Sequence, residues 1–221
     1  MEKKKFKLWK VILLVVLFVI LVLLVNSIRN FIIISDLQNK VAEYENSSNY
    51  HEKSIVTHED GSIVTTDNYK KDDKNALFVE TNNSGEISKI LMYNNGERVD
   101  VFIETKESKT VTIDSGMSIN LNVTNYLKTD GALQTFLACF PAKIKSIEYK
   151  DKACYSIENF FTSGVMYGTE KNEIYVDKDT GLVIFKNTDG ELTEKEYEFN
   201  NVEDSIFIEP NIGEYKLIEA E

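Results

Sequence analysis

Residues 8–45 read LWKVILLVVLFVILVLLVNSIRNFIIISDLQNKVAEYE, and two different apolar patterns meet within this stretch. The run from Val11 to Val25 contains no polar residue. Together with Leu8 and Trp9 it makes an apolar segment of about 18 residues, or roughly 27 Å of helix. This length nearly matches a bilayer hydrocarbon core of about 30 Å. The pattern therefore predicts a membrane-spanning helix rather than a buried core helix.

The flanks of this run decide between a membrane anchor and a cleaved signal peptide. The run ends in Leu24-Val25-Asn26-Ser27, without the small residues of a signal cleavage site, and no cysteine follows that could carry a lipid. Five lysines precede the run, and only Arg29 follows it closely. This asymmetry predicts a cytoplasmic N-terminus. We therefore interpret residues 1–30 as a cytoplasmic basic start and a single-pass anchor of the cell membrane, spanning Trp9, Val11 and Val25, with an extracytoplasmic C-terminal domain.

Beyond the anchor, residues 31–47 have the pattern of an amphipathic helix. Ile34, Leu37, Val41 and Tyr44 recur at spacings of three and four residues, so they form one apolar stripe. The positions between them are mostly polar. The membrane helix can continue into this segment without a break.

Residues 48–221 are long enough for one domain with its own core. They contain 18 Lys and Arg against 32 Asp and Glu, a net charge of −14. Such a surface repels nucleic acid. In an exported domain, the single pair of cysteines Cys139 and Cys154 predicts a disulfide bond.

The domain reads as mainly β (α+β), because apolar residues alternate with period two between short turns such as NNSGE and DKDTG. A helical insert at 124–140, ending before Pro141, interrupts the strands. Sequential hairpins favour an unclosed antiparallel barrel or curved sheet whose concave face is covered by one or two helices. A two-layer sandwich is the alternative. The predicted strands are 50–57, 62–70, 76–82, 87–93, 98–106, 109–114, 117–124, 143–150, 153–167, 172–177, 182–187, 191–200 and 214–219.

The order of these parts resembles the LolA-like fold family, which includes periplasmic lipoprotein carriers and RseB-like extracytoplasmic domains. EIYVDKDTGLVIF at 173–185 is similar to a hairpin of the family, and YEFNNVEDSIFIEPNIGEY at 197–215 is similar to its closing segment. The resemblance implies an apolar concave face that accepts acyl chains or a hydrophobic partner, and it implies no catalysis. The carriers are soluble, whereas this chain is predicted to keep its anchor, so we expect a fixed protein rather than a shuttle.

The sequence offers little for catalysis, metals or cofactors. His51 and His58 are the only histidines, and their spacing places them on opposite faces of a continuous strand. The turn at 177–181 has Asp177 and Asp179, but it lacks the third acidic position before the glycine and the bidentate Glu of a calcium loop, so we interpret it as a plain hairpin turn. Motifs for nucleophilic catalysis or phosphate binding are missing from the sequence. We therefore predict a protein that is not an enzyme and uses no cofactor.

One apolar stripe of the predicted sheet is the candidate ligand face. Such a stripe can be a lipid-binding surface or ordinary core. The first interpretation predicts a binding domain for a lipid, a lipoprotein or another hydrophobic ligand. The second predicts a domain with a filled core that interacts with an envelope protein or takes part in signalling. The residues of the stripe are Ile90, Met92, Val101, Ile103, Ile119, Leu121, Tyr155, Ile157, Phe161 and Phe185.

Overall fold

A computed structural model describes residues 2–114, 119, 121–160, 173–188 and 190–218. Helix α1 runs without a break over Glu2–Glu45, so the two predicted helical segments are one rod of about 66 Å. In the described residues it is the one helix long and apolar enough to cross a membrane. Val11 and Val25 are 57% and 61% exposed, so the fold does not bury the apolar run.

In the described part of the chain, twelve strands form one sheet, which is mostly antiparallel and does not close on itself. Its order is β12-β6-β5-β4-β3-β2-β1-β11-β10-β9-β8-β7, so the predicted unclosed sheet is confirmed, and these strands do not form a two-layer sandwich. A second helix, α2, covers Ala132–Cys139, within the predicted insert. The strands are β1 Asn49–Thr57, β2 Ile63–Lys71, β3 Lys74–Asn83, β4 Glu86–Asn94, β5 Val99–Glu104, β6 Lys109–Asp114, β7 Lys143–Tyr149, β8 Lys152–Glu158, β9 Glu173–Asp177, β10 Val183–Thr188, β11 Glu191–Phe199 and β12 Lys216–Ile218.

Several predicted strand bounds differ from the observed ones. Ile119 and residues 121–124 lie outside any strand, so the prediction of a strand at 117–124 is wrong where it can be compared. The predicted long strand 153–167 ends at Glu158 among the described residues. The last strand covers only three residues, and it pairs in parallel with β6 rather than antiparallel.

The first core forms where α1 crosses the sheet. Ile34, Leu37 and Val41 are at most 1% exposed, which confirms the predicted stripe. Ile34 and Leu37 pack with the buried side chains of β7–β10, and Val41 packs against Tyr50 of β1. Burial of each such aliphatic side chain stabilises the fold by about 1.5–3 kcal/mol. We call the side of the sheet that carries Tyr50 the helix-side face and the other side the outer face.

Hydrogen bonds from α1 fix the insert that contains α2. The Asn30 Nδ2 atom donates to the carbonyl oxygens of Cys139 and Ala142, at 3.3 and 2.8 Å. The Gln38 Nε2 atom donates to the Leu127 carbonyl oxygen at 2.6 Å. The beginning of the insert therefore lies beside residue 38 and its end beside residue 30, so α2 runs antiparallel to α1.

A second core lies on the outer face of β2–β6. Phe102 and Val111 are fully buried there, and the C-terminal residues Ile206, Phe207 and Tyr215 pack onto this cluster. The Phe102 ring meets the Tyr215 ring edge-on, with centroids 4.9 Å apart. The two halves of the sheet therefore bury opposite faces.

The turn between β9 and β10 holds a close approach to α1. Gly181 has φ +73°, and a Cβ atom there would lie 2.4 Å from the Leu37 carbonyl oxygen. Gly61 has a similar φ of +81°, but a Cβ atom added there would have no neighbour within 4 Å. A glycine at position 181 therefore satisfies both the backbone conformation and the helix contact.

Gly181→Ala should destabilise the protein by roughly 3 kcal/mol, because the left-handed conformation and the contact with α1 both become unfavourable. Gly61→Ala is the control and should lose only about 1 kcal/mol, from the backbone term alone. Urea unfolding of the detergent-solubilised chain measures both. Equal losses for the two variants would mean that the turn does not press against α1.

Candidate functional site

Six apolar side chains form a continuous patch on the helix-side face of β3–β5. Cross-strand pairing places Met92 opposite Leu77 and Val101, and it places Ile90 opposite Val79 and Ile103. Directly opposite residues in a sheet share a face, so the six side chains adjoin. We call this set, Leu77, Val79, Ile90, Met92, Val101 and Ile103, the β3–β5 patch.

The patch is only half-buried. Ile103 is 38% exposed, the other five side chains are partly exposed, and none of the six belongs to a core cluster of the described residues. In the described part of the chain, α1 packs on β1 and β7–β11 and not on these strands. The outer face of the same strands carries the second core. The patch is therefore surface that the described fold leaves available.

Neutral polar groups border the patch along both sides. Thr66 and Asn68 of β2 lie next to Val79 and Leu77. Thr110 and Thr112 of β6 lie next to Ile103 and Val101. The rim therefore offers hydroxyl and amide hydrogen bonds without a charged side chain.

Ile119 and Leu121, which follow β6 in the chain, lie over one end of the same face. Asn94 Nδ2 donates to the Ile119 carbonyl oxygen at 3.0 Å, and Lys70 Nζ donates to the Leu121 carbonyl oxygen at 3.1 Å. Leu121 packs against the core cluster around Tyr50 and Val41. Of the predicted ligand face, Ile119 therefore lies beside Asn94 at the end of the patch, and Leu121 lies beside α1.

Two other residues of the predicted ligand face belong to the core beneath α1 instead of the patch. Ile157 is 1% exposed and belongs to the core beneath α1, and Tyr155 packs against that core. These two residues are filled core, as the second interpretation of the stripe expects. Phe161 lies outside the described residues.

The prediction that Phe185 belongs to the ligand face is wrong. It pairs with Glu194 and Tyr175 on the outer face, and its ring stacks on the Tyr175 ring at 4.5 Å. The assignment failed because the β9–β10 pairing shifts register between Val183 and Phe185, and a shift of one residue moves a side chain to the opposite face.

The predicted disulfide bond is also wrong. Cys139 and Cys154 are both free, buried thiols. Cys139 ends α2 in the core on the helix-side face. Cys154 pairs with Ile147 and Asp177 in the sheet, and alternation with Tyr155 directs its side chain to the outer face. The sheet itself therefore separates the two sulfur atoms.

Both thiols should resist modification in the folded protein. Burial raises the pKa of Cys139 to about 12, and burial and the nearby Asp177 raise the pKa of Cys154. Because the thiolate is the reactive form, a thiol reagent at pH 8 should label neither site until a denaturant is added, and then two sites without any reductant. Labelling that appears only after reduction would indicate a disulfide bond.

A buried ion pair lies on the helix-side face between the patch and α1. Lys195 Nζ is 2.6 Å from Glu52 Oε1, and both side chains are 8% exposed. The ammonium group also lies 5.1 Å from the centroid of the Tyr126 ring. Each charge is matched within the fold, so this pair fixes β1 and β11 and leaves no free charge for a ligand. No local sequence pattern indicates this pair, because the partners are 143 residues apart.

Two carboxyl groups meet on the outer face. Asp100 is fully buried and bonded to Arg98 at 2.8 Å, and Glu209 of the C-terminal segment lies 3.9 Å from the same Arg98 nitrogen. Burial, a hydrogen bond with Asp100 and the charge of Asp100 raise the pKa of Glu209, and Arg98 opposes this rise. The protonated form of Glu209 therefore favours the contact of the C-terminal segment with the sheet more than the ionised form does.

Glu209→Gln should stabilise the chain at pH 8 and change its stability little below about pH 4. The pKa of Glu209 is higher in the folded state than in the unfolded state, so its contribution is complete below the unfolded pKa of about 4.3 and is lost as pH rises through the folded pKa. Glutamine stays neutral throughout. Urea unfolding at both pH values measures the difference, with the exposed Glu214→Gln as the control. A pH-independent effect would contradict the carboxyl pair.

The histidines have ordinary partners. His51 Nε2 lies 2.8 Å from Asp67, and the His51 ring stacks on Tyr69 at 4.2 Å. His58 Nδ1 lies 3.1 Å from Glu191. Within the described ranges no group of three or more His, Cys, Asp or Glu side chains is arranged to hold a metal ion.

A cavity of about 350 Å³ lies between α1 and the insert, lined by Phe31, Ser35, Gln38, Thr129 and Thr135 among others. Its floor uses the side-chain contacts that fix the insert, such as the hydrogen bond from Gln38. Eight of its twelve lining residues are polar. The β3–β5 patch is therefore the better candidate for an apolar ligand.

Comparison with known proteins gives no family for this chain. No family model matches it, and no curated protein matches it. Among solved structures it resembles the crystal structure of an uncharacterized conserved protein from Thermus thermophilus, with a TM-score of 0.47 and 9% identity over 84% of this chain and 98% of that chain. A similarity this low carries no argument, and the LolA-like resemblance stays a prediction.

Proposed function

We propose that this protein is a membrane-tethered, extracytoplasmic binding domain without enzymatic activity, and that it holds a lipid, a lipoprotein acyl chain or another hydrophobic ligand on the β3–β5 patch. The observation that supports the proposal is the patch itself: six adjoining apolar side chains, half-exposed, outside the core clusters of the described residues and bordered by neutral polar groups. Isolated exposed apolar residues are normal, but a contiguous patch with a polar rim is typical of a binding surface.

The tether is the second part of the proposal. The apolar run and the part of α1 that packs on the sheet belong to one helix, so an uncut chain holds the domain directly at the membrane. The lysine-rich start favours a cytoplasmic N-terminus and an extracytoplasmic domain. A tethered protein cannot leave its membrane, which favours a fixed receptor, sensor or assembly factor over a carrier.

The energetics suit an acyl chain. Each methylene buried contributes about 0.8 kcal/mol, so about ten methylenes would contribute at most about 8 kcal/mol. Immobilising the ligand and ordering the patch reduce this value. The expected affinity is moderate, which allows exchange of the ligand with a neighbouring membrane.

An envelope protein-interaction or signalling domain is the second candidate, and the sheet edges favour it. β12 and β7 are the terminal strands of the sheet order. On β12, Leu217 and Ile218 are 57% and 45% exposed. An open edge with apolar side chains can accept a strand from a partner.

Ile103→Glu should weaken binding of a fluorescent fatty acid at least about tenfold, because it removes one buried apolar contact and adds a charge to the patch. Ile63→Glu is the matched control. Ile63 is also a strand isoleucine, 40% exposed, but it pairs with Thr57 and Asn82 on the outer face. Binding to this control should be unchanged.

A fragment of residues 26–221 suits this measurement, since it lacks the apolar run but retains Asn30, Ile34, Leu37 and Val41. Organic extraction of the purified fragment and mass spectrometry should recover bound lipid. A stably folded fragment that carries no lipid and ignores the fatty acid would favour the protein-interaction candidate instead. Equal losses of affinity in both variants would show that the patch is not the site.

A further inference from the structure

Helix α2 exposes an apolar surface that no function above uses. Its buried side is formed by Thr135, Ala138 and Cys139. On the other side, Leu133, Leu137 and Phe140 are 74%, 61% and 46% exposed. Residues 131–142, GALQTFLACFPA, contain no charged side chain. Exposure of such a surface to water is unfavourable, so the location of α2 relative to the predicted membrane span decides what can cover it.

The hydrogen bonds to α1 give that position. Asn30 binds the carbonyl oxygens of Cys139 and Ala142, and residue 30 lies five positions beyond Val25, about 7.5 Å along the helix axis. The polar interface of a bilayer extends roughly 5–7 Å beyond the hydrocarbon core on each side. Because α2 runs antiparallel to α1, its C-terminal end, with Phe140, lies at the level of this interface.

Cationic side chains follow this end of α2 along the chain, at the start of β7, where Lys143 and Lys145 alternate with the helix-side Ile144 and so lie on the outer face. Lys143 and Lys145 are 64% and 65% exposed in their side chains, and they share Glu158 at 3.8 and 3.2 Å. The Arg29 guanidinium lies nearby, 3.5 Å from the Ile144 carbonyl oxygen. Arg29 and two lysines with one bound carboxylate contrast with the net charge of −14 over residues 48–221. Apolar side chains next to Lys and Arg are the pattern of a surface that lies in a lipid interface.

The apolar surface is also continuous with the anchor. Ile28 and Ile32 of α1 follow the apolar run and are 51% and 62% exposed. The Phe31 ring, on the same turn, meets the Phe136 ring of α2 edge-on at 6.0 Å. Apolar side chains therefore form a continuous surface from Val25 along α1 to α2.

From this placement we propose that the C-terminal end of α2, with Leu137 and Phe140, inserts into the outer interface of the same bilayer that α1 crosses. The partner is a phospholipid surface: acyl chains meet the apolar side chains, and phosphates meet Arg29, Lys143 and Lys145. This contact rests on the proposed anchor. It would fix the tilt of the domain relative to the membrane.

Tryptophan fluorescence of the full-length chain in lipid nanodiscs tests this contact. The protein has a single tryptophan, Trp9, so the double variant Trp9→Phe, Phe140→Trp carries one reporter at the end of α2. Nanodiscs whose acyl chains are brominated close to the headgroup should quench most of its fluorescence. Leu133→Trp in the same background, about two turns farther from the membrane, should be quenched less.

Ile208→Trp in the Trp9→Phe background is the control. Ile208 is 73% exposed, but its segment is held near Asn49 by the hydrogen bond from Val202 N to Asn49 Oδ1, at the far end of α1. This reporter should keep its fluorescence in brominated nanodiscs.

The unaltered chain separates the two proposals, because Trp9 reports on the anchor alone. If Trp9 is quenched and Phe140→Trp is not, α2 does not touch the bilayer, whereas the anchor stands. If the tryptophan of Phe140→Trp is not quenched but emits at a shorter wavelength than tryptophan in water, another part of the protein covers α2. That result would also overturn the membrane contact. If Trp9 itself is not quenched, the anchor is wrong, and the contact fails with it.

Discussion

The continuity of α1 is the constraint on which the rest of the structure depends. One helix supplies both the apolar run and the stripe of Ile34, Leu37 and Val41 that fills the first core. An α-helix has no soft joint unless a proline, a glycine or a bulge interrupts it, and residues 8–45 contain neither proline nor glycine. The sheet is therefore attached rigidly to the apolar run, because the same helix is part of its core.

This attachment explains why the sheet buries opposite faces in its two halves. One helix about 10 Å wide can cover only some of twelve strands, and α1 covers β1 and β7–β11. The strands β2–β6 find a second partner on the outer face, the C-terminal segment with Ile206, Phe207 and Tyr215. On the helix-side face of β3–β5, six apolar side chains then stay partly exposed. The β3–β5 patch is thus exposed because α1 covers one half of the sheet on the helix-side face, and the C-terminal segment covers the other half on the outer face.

The sequence predicted the elements well and their packing partners poorly. Period-two alternation between Asn, Asp and Gly turns locates β1–β6 to within two residues, because these local signals also terminate the strands. The buried face of β5 was harder to assign, since Val99, Val101 and Ile103 alternate with Phe102, and both faces are apolar. Asp100, a charged residue on the second face, is fully buried beside Arg98 and Glu209.

Contacts between residues far apart in the chain were indicated even less by local sequence pattern. The separation of Cys139 and Cys154 depends on which face of the sheet α2 covers and on which face Cys154 takes in β8. The register shift before Phe185 depends on cross-strand geometry. The Glu52–Lys195 pair depends on β1 and β11 becoming neighbours, a pairing between distant parts of the chain. Local pattern therefore determines where strands begin and end, whereas the order of strands determines which side chains meet.

The rigid connection also bears on how a ligand would reach the proposed site. With a flexible linker, a tethered domain samples many orientations and its patch faces the membrane only part of the time. Here the orientation of the sheet follows the tilt of α1, and the apolar end of α2 would limit that tilt further. The patch would then stay at one height and one angle above the lipid surface. Such an arrangement favours exchange with a molecule held in the same membrane or in a fixed complex, because each encounter finds the patch already oriented and loses less rotational freedom on binding.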